Sequence, residues 1–200
     1  PPSDLTPGIL NVRTYPLLVK GDVTISREIA WDPWGPENPK LVSNRLVVET
    51  GNDADHIHVR NWPGEKLQFI INGKSYVIDA KEKQGPKQSL WIKTKGGNDT
   101  VIVDDDVKLP LDVDGGDGDD HIQAGGGRSR IYGQGGNDLI RLGSGTGYAE
   151  GNDGDDTIIN GIGNAVIYGN KGNDRLYAGF GAATKHTYLD GGDGKDELYA

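Results

Sequence analysis

The chain has 200 residues, 32 of them glycine and none cysteine or methionine, with a formal net charge of −9. The missing cysteine excludes disulfides, thiolate zinc sites and thiol nucleophiles, and no apolar run approaches the roughly 20 residues of a membrane span. Residues 96–200 hold 8 basic and 19 acidic side chains, a net of −11, against +2 for residues 1–95; a phosphate-binding face must be basic, so nucleic acid is disfavoured as a partner.

The chain opens Pro-Pro-Ser-Asp, with no initiator Met and no signal peptide, and reads as a processed piece of a longer protein. Residues 1–45 are expected to form an irregular, β-rich N-terminal cap. Ile9–Val12, Tyr15–Val19 and the alternating Asp22–Ile29 are its strand candidates, and Trp31-Asp-Pro-Trp-Gly-Pro is a turn cluster. All four tryptophans (Trp31, Trp34, Trp62, Trp91) lie in the first half. They are expected to pack over the open end of a repeat stack, since solenoids need caps; an exposed platform for a glycan or partner is the alternative.

Residues 46–111 read as divergent coils. Thr50-Gly-Asn-Asp-Ala-Asp-His-Ile-His places Asp55 in a repeating aspartate column with Ile57 inward. Leu67–Ile71 and Lys74–Ile78, joined by Asn72-Gly73, predict a β-hairpin, because Asn-Gly is the favoured two-residue turn. Lys81–Gln88 is a polar loop. Trp91-Ile-Lys and then Gly96-Gly-Asn-Asp-Thr-Val-Ile begin the next coil, with Asp99 in the column and Val101 inward.

In residues 112–200 one nine-residue phrase recurs as GGDGDDHIQ from Gly115, GQGGNDLIR from Gly133, GNDGDDTII from Gly151, GNKGNDRLY from Gly169 and GGDGKDELY from Gly191. Its sixth residues are Asp120, Asp138, Asp156, Asp174 and Asp196, spaced 18, 18, 18 and 22 apart; Ala182–Lys185 form the insertion. The strand position of each copy is apolar: Ile122, Ile140, Ile158, Leu176 and Leu198. One inward residue flanked by polar ones is the two-residue period of a half-buried strand. Each 18-residue step contains a second, degraded unit whose inward residues are Ile131, Ala149, Ile167 and Leu189. Its aspartate position reads Ser129, Gly147, Ala165 and Thr187, so one turn of each coil keeps its carboxylate and the other has lost it.

This pattern resembles the RTX (repeats-in-toxin, haemolysin-type) calcium-binding family over about Gly51–Ala200. The layout of divergent unit, hairpin and clean repeats also resembles, more distantly, bacterial type III effector-like proteins that carry a zinc metallopeptidase domain. The resemblance implies an all-β chain, a right-handed parallel β-roll or β-helix with the N-terminal cap and the hairpin 67–78 as an excursion. It implies a secreted bacterial protein and Ca2+ as cofactor, with ions between turns of successive coils. Carried onto this sequence, the metal residues are Asp99, Gly116, Gly118, Asp120, Gly133, Gly136, Asp138, Gly151, Gly154, Asp156, Gly169, Gly172, Asp174, Gly191 and Asp196. At most five sites follow, in one column only.

Catalytic motifs are missing: there is no H-E-x-x-H, no G-x-S-x-G and no phosphate loop. A catalytic domain is placed, if anywhere, beyond residue 200. His56 and His58 share one strand face and could hold zinc with a third ligand, but outward surface is the simpler reading. The expected function is a calcium-folded scaffold or secretion-coupled module of a toxin, protease or effector. An adhesin-type solenoid that binds a glycan or surface is the alternative, as is the non-catalytic part of a metallopeptidase effector. A host protein or glycan are the partners open to it. The last strand, Glu197–Tyr199, has an unblunted edge, which predicts continuation past Ala200 or end-to-end self-association.

Overall fold

The structure is a computed structural model that describes residues 4–6, 8–32, 40–81 and 88–200. A coil that turns one apolar side chain inward per strand can bury it only against a strand across the coil. Two facing sheets are the result. One contains β1 (Asn11–Lys20), β2 (Val23–Trp31), β3 (Leu41–Glu49), β7 (Ser89–Lys93), β9 (Leu111–Asp114), β11 (Ser129–Gln134), β13 (Gly147–Asp153), β15 (Ala165–Lys171) and β17 (Thr187–Asp190), in that spatial order. The other runs β6 (Lys74–Asp79), β5 (Lys66–Ile71), β4 (His56–Trp62), β8 (Thr100–Val103), β10 (His121–Gln123), β12 (Leu139–Arg141), β14 (Thr157–Ile159), β16 (Arg175–Tyr177) and β18 (Glu197–Tyr199). From β7 onward the chain alternates between sheets, and every pairing from β3–β7 and β4–β8 to the end of the stack is parallel, which makes a β-roll. No helix occurs among the described residues, and none is long and apolar enough to cross a membrane.

Register follows the repeat. Ile122 pairs with Val101 and Ile140, Ile140 with Ile158, and Ile158 with Leu176. Across the coil Val113, Ile131, Ala149, Ile167 and Leu189 align in the same way. Ile122, Ile131, Ile140, Ile158, Ile167 and Leu176 are wholly buried, each contributing roughly 1.5–3 kcal/mol of transfer free energy. Two inward positions depart from this. Leu198 is 50% exposed and Leu189 half-buried, because no further coil lies over them.

The N-terminal end is closed by two antiparallel hairpins. β1–β2 continues one sheet past β3, and β5–β6 continues the other past β4. Their inner faces add Ile25, Leu67, Phe69 and Ile71 to the core. Arg27 on β2 donates to the Asp79 carbonyl at the end of β6, tying the two hairpins together. The β5–β6 turn matches the Asn-Gly signal, with φ of 50° at Asn72 and 79° at Gly73. The two strand candidates before residue 20 are one strand; its register shifts between Pro16 and Leu18, on an edge where proline leaves no ladder bond unmade.

Tryptophans do not build this closure. Trp91 faces outward, between the Arg45 guanidinium (4.4 Å from the ring centre) and the Lys93 ammonium (3.6 Å). Trp62 is 43% exposed, Trp31 is half-buried, and Trp34 lies outside the described residues. Ile25, Leu67, Phe69 and Ile71 fill the hairpin faces, and the indoles of Trp62 and Trp91 lie outside that core.

Candidate metal centre

Every clean repeat brings its chain from the first sheet to the second through a glycine turn, and the aspartate ends that turn. Parallel in-register stacking then places each aspartate directly over its counterpart. Oδ1 of Asp99 accepts the backbone N–H of Asp55 at 2.8 Å, and Oδ1 of Asp120 accepts that of Asp99 at 2.8 Å. The ladder continues with Asp138 to Asp120, Asp156 to Asp138, Asp174 to Asp156 and Asp196 to Asp174, all at 2.7–2.8 Å. One carboxylate oxygen per coil is thus spent on joining coils.

The other oxygen is not. Oδ2 of Asp99, Asp120, Asp138, Asp156 and Asp174 is buried without a hydrogen-bond partner, as is that of Asp55. In the clean copies it lies against the first glycine of the same turn. A methyl group on Gly115 would come within 2.6 Å of Asp120 Oδ2 and 2.9 Å of the Gly133 carbonyl. Gly133 sits in the same way between Asp138 Oδ2 and the Gly151 carbonyl, and Gly169 between Asp174 Oδ2 and the Gly191 carbonyl. Gly151 and Gly191 face Asp156 and Asp196. A free carboxylate oxygen and a carbonyl oxygen from the next coil therefore border a space that only glycine leaves open.

Burial without a partner penalises the charged form, and the carboxyls respond. Desolvation pushes Asp120 and Asp156 up to about 8, and Asp99, Asp138 and Asp174 up to about 6, with neighbouring carboxylates adding to the rise. Carboxyls in such a row titrate as a coupled set. Such a column lacks positive charge.

Among the described residues no three His, Cys, Asp or Glu side chains converge on one point. Backbone carbonyls must then complete any shell, and carboxylate plus carbonyl oxygen is a hard-ion donor set of the kind calcium takes. The family model of the RTX calcium-binding nonapeptide repeat (4 copies) matches residues 114–149 and 150–184. Residues 114–184 carry RTX calcium-binding repeats. No curated protein and no solved structure matches it.

Glycines of the RTX repeats fall into two groups. Gly118, Gly136, Gly154 and Gly172 have φ of 99–117° and lie over the carbonyl of the glycine one coil earlier, so their role is close stacking of turns. Gly116 lies one residue past the cradle; its carbonyl accepts the Gly135 N–H at 3.1 Å. In the first copy Gly115 holds the cradle position against Asp120 Oδ2.

Two further features escape a reading by motif. Asn72, in the hairpin turn, donates to Asp55 Oδ1 at 2.7 Å and accepts the His56 N–H at 2.8 Å, capping the ladder where no earlier coil exists. Beside the buried ladder runs an exposed one. Oδ1 of Asn98, Asp119, Asn137, Asp155 and Asn173 each accepts an N–H of the following coil at 2.7–2.9 Å. The alternation of Asp and Asn at the fifth repeat position is its trace in the sequence. His58 does not join a histidine cluster: its Nε2 lies 2.6 Å from Asp104 Oδ1.

Proposed function

We propose that the aspartate column binds calcium between successive coils. The ligands are Oδ2 of Asp99, Asp120, Asp138, Asp156, Asp174 and Asp196 together with carbonyls of the glycine turns. The observation that carries this reading is the row of buried, unpartnered Oδ2 atoms facing glycine cradles. When bound, calcium supplies the positive charge that this row lacks. The chain's own part is to present one carboxylate oxygen and at least one carbonyl per coil at fixed register.

Folding coupled to calcium follows, since five to six buried carboxylates repel one another without a counter-charge. The match to RTX repeats and the acidic repeat half further support a secreted bacterial protein, in which this chain is a calcium-dependent scaffold or secretion-coupled module. Calorimetric titration of chelator-treated protein tests the site. Uptake of several ions, reduced in an Asp138→Asn, Asp156→Asn double variant, is the expected result; no uptake, or full uptake by that variant, refutes it.

A further inference from the structure

The turns opposite the aspartates have no carboxylate at the equivalent positions, yet they too stack carbonyl on glycine. A side chain on Gly143 would strike the Gly125 carbonyl, and one on Gly161 the Gly143 carbonyl. The last accessible carbonyls of this stack are held by one side chain. Lys185 Nζ lies 2.8 Å from the Gly161 carbonyl oxygen, 2.6 Å from that of Ala178 and 2.8 Å from that of Phe180. An ammonium group has three donors and no acceptor, so all three are used.

We infer that the carboxylate-free column contains a cation site of its own, built from the carbonyls of Gly161, Ala178 and Phe180, whose resident cation is the Lys185 ammonium. The oxygens come from two successive coils, so the ammonium joins coils as a metal ion would. The insertion that lengthens the last step supplies it. Lys185 N–H closes a turn on the Ala182 carbonyl at 2.9 Å, which sends the side chain back over the coil. Gly181 leaves room for its stem, because a methyl group there would overlap the Lys185 chain. At the other insertion, 104–109, Lys108 Nζ also reaches a later coil, but its partners are Ser144 Oγ at 3.3 Å and the Asp105 carboxylate at 3.8 Å in place of carbonyls.

A cage of neutral carbonyls with no carboxylate suits a monovalent cation and falls short of the oxygen shell calcium requires. Emptied of its lysine, the site should accept ammonium or a small alkylammonium ion. This holds whether or not the aspartate column takes calcium.

The test uses the full chain with Lys185→Met, which keeps the stem and loses the charge, and Lys185→Ala, which empties the cage. Loss of a charge-assisted contact should lower the melting temperature of both by roughly 4–8 °C. Methylammonium chloride should restore the Lys185→Ala protein, whereas tetramethylammonium at equal concentration, too large for the cage, should not. Lys185→Met melting with the unaltered protein, or equal effects of the two salts, overturns the inference. Acylation of the unaltered protein gives an independent reading that needs no folded variant. Lys185 should react at least about tenfold more slowly than the exposed Lys171 and Lys195, given the energy of its contacts. Equal labelling also overturns the inference.

Discussion

On one side of each coil the turn ends in a buried carboxylate with a free oxygen; on the other, the equivalent positions are Ser129, Gly147, Ala165 and Thr187. The neutral side has no row of buried carboxylates, and among its described turn residues Asn160 Oδ1 is a single unpartnered acceptor. Asn160 Nδ2 donates to the Gly163 carbonyl at 2.9 Å and to Thr187 Oγ1 at 3.2 Å. The acidic side leaves one acceptor per coil unmet. A single backbone path thus carries one edge without a column of buried charge and another that needs charge from outside, so the two edges should respond to solution conditions differently.

Chelation gives the largest expected contrast. A ligand at a thousandfold excess over its dissociation constant stabilises by about 4 kcal/mol per site, and several sites share one fold. Removing calcium should lower the melting temperature by roughly 10 °C or more, with loss of β signal in circular dichroism. An unchanged transition would erase the difference between the edges.

Acidity should act chiefly on the acidic edge, and in an unusual direction. Asp120 and Asp156 are raised to about 8 and Asp99, Asp138 and Asp174 to about 6, from an ordinary 3.8. Between those limits the folded chain holds protons that the unfolded chain has released, so its stability falls as pH rises. In chelator, urea midpoints should therefore be highest near pH 4 and decline through pH 6 to 8. Calcium should reverse the trend, because protons compete with it for the same oxygens. A chelated protein that gains stability from pH 4 to 8 contradicts this.

Asp138→Asn sharpens the comparison at one coil. The amide oxygen can still accept the Asp120 N–H, but the buried charge is gone. In chelator the variant should be more stable by about 1–2 kcal/mol, the usual scale for relieving a buried polar group without a partner. In calcium it should bind at least one ion fewer and melt lower. The two opposite signs are read from paired melts; the same sign in both conditions would show that Asp138 is only a structural acceptor.

Much of this was legible in the sequence. The 18-residue step predicts the coil, Ile122, Ile140 and Ile158 predict the core, and Asn72-Gly73 predicts the hairpin. What stayed hidden depends on atoms brought together over distance. The capping role of Asn72 needs Asp55, 17 residues away, to end up beneath it. Lys185 gives no signal beyond being an insertion, since its partners are backbone oxygens that every residue has. Gly115 and Gly116 are chemically alike in the sequence, and only the path of the turn shows that Gly115 faces the carboxylate.

The smallest effect concerns the exposed ladder beside the acidic edge. Asn137→Ala removes the acceptor of the Asp155 N–H, worth about 1 kcal/mol, or roughly 2–4 °C. The loss should be equal with one or several coils loaded, because this ladder carries no orphaned oxygen. A loss that grows with calcium would tie the outer ladder to the site.

Vertical register has a consequence for how such a protein changes length. Gly136, Gly154 and Gly172 each lie over the carbonyl of the glycine 18 positions earlier. Each aspartate from Asp138 to Asp174 likewise meets the N–H of the one 18 positions before it. Excising or duplicating residues 139–156 would return each of these clearances and ladder bonds to an equivalent partner. Eighteen residues is then a unit of currency for gene-level tandem duplication. The molecule can grow or shrink like a ruled scale, while any other increment must leave the stack as a loop, as those at 104–109 and 182–185 do.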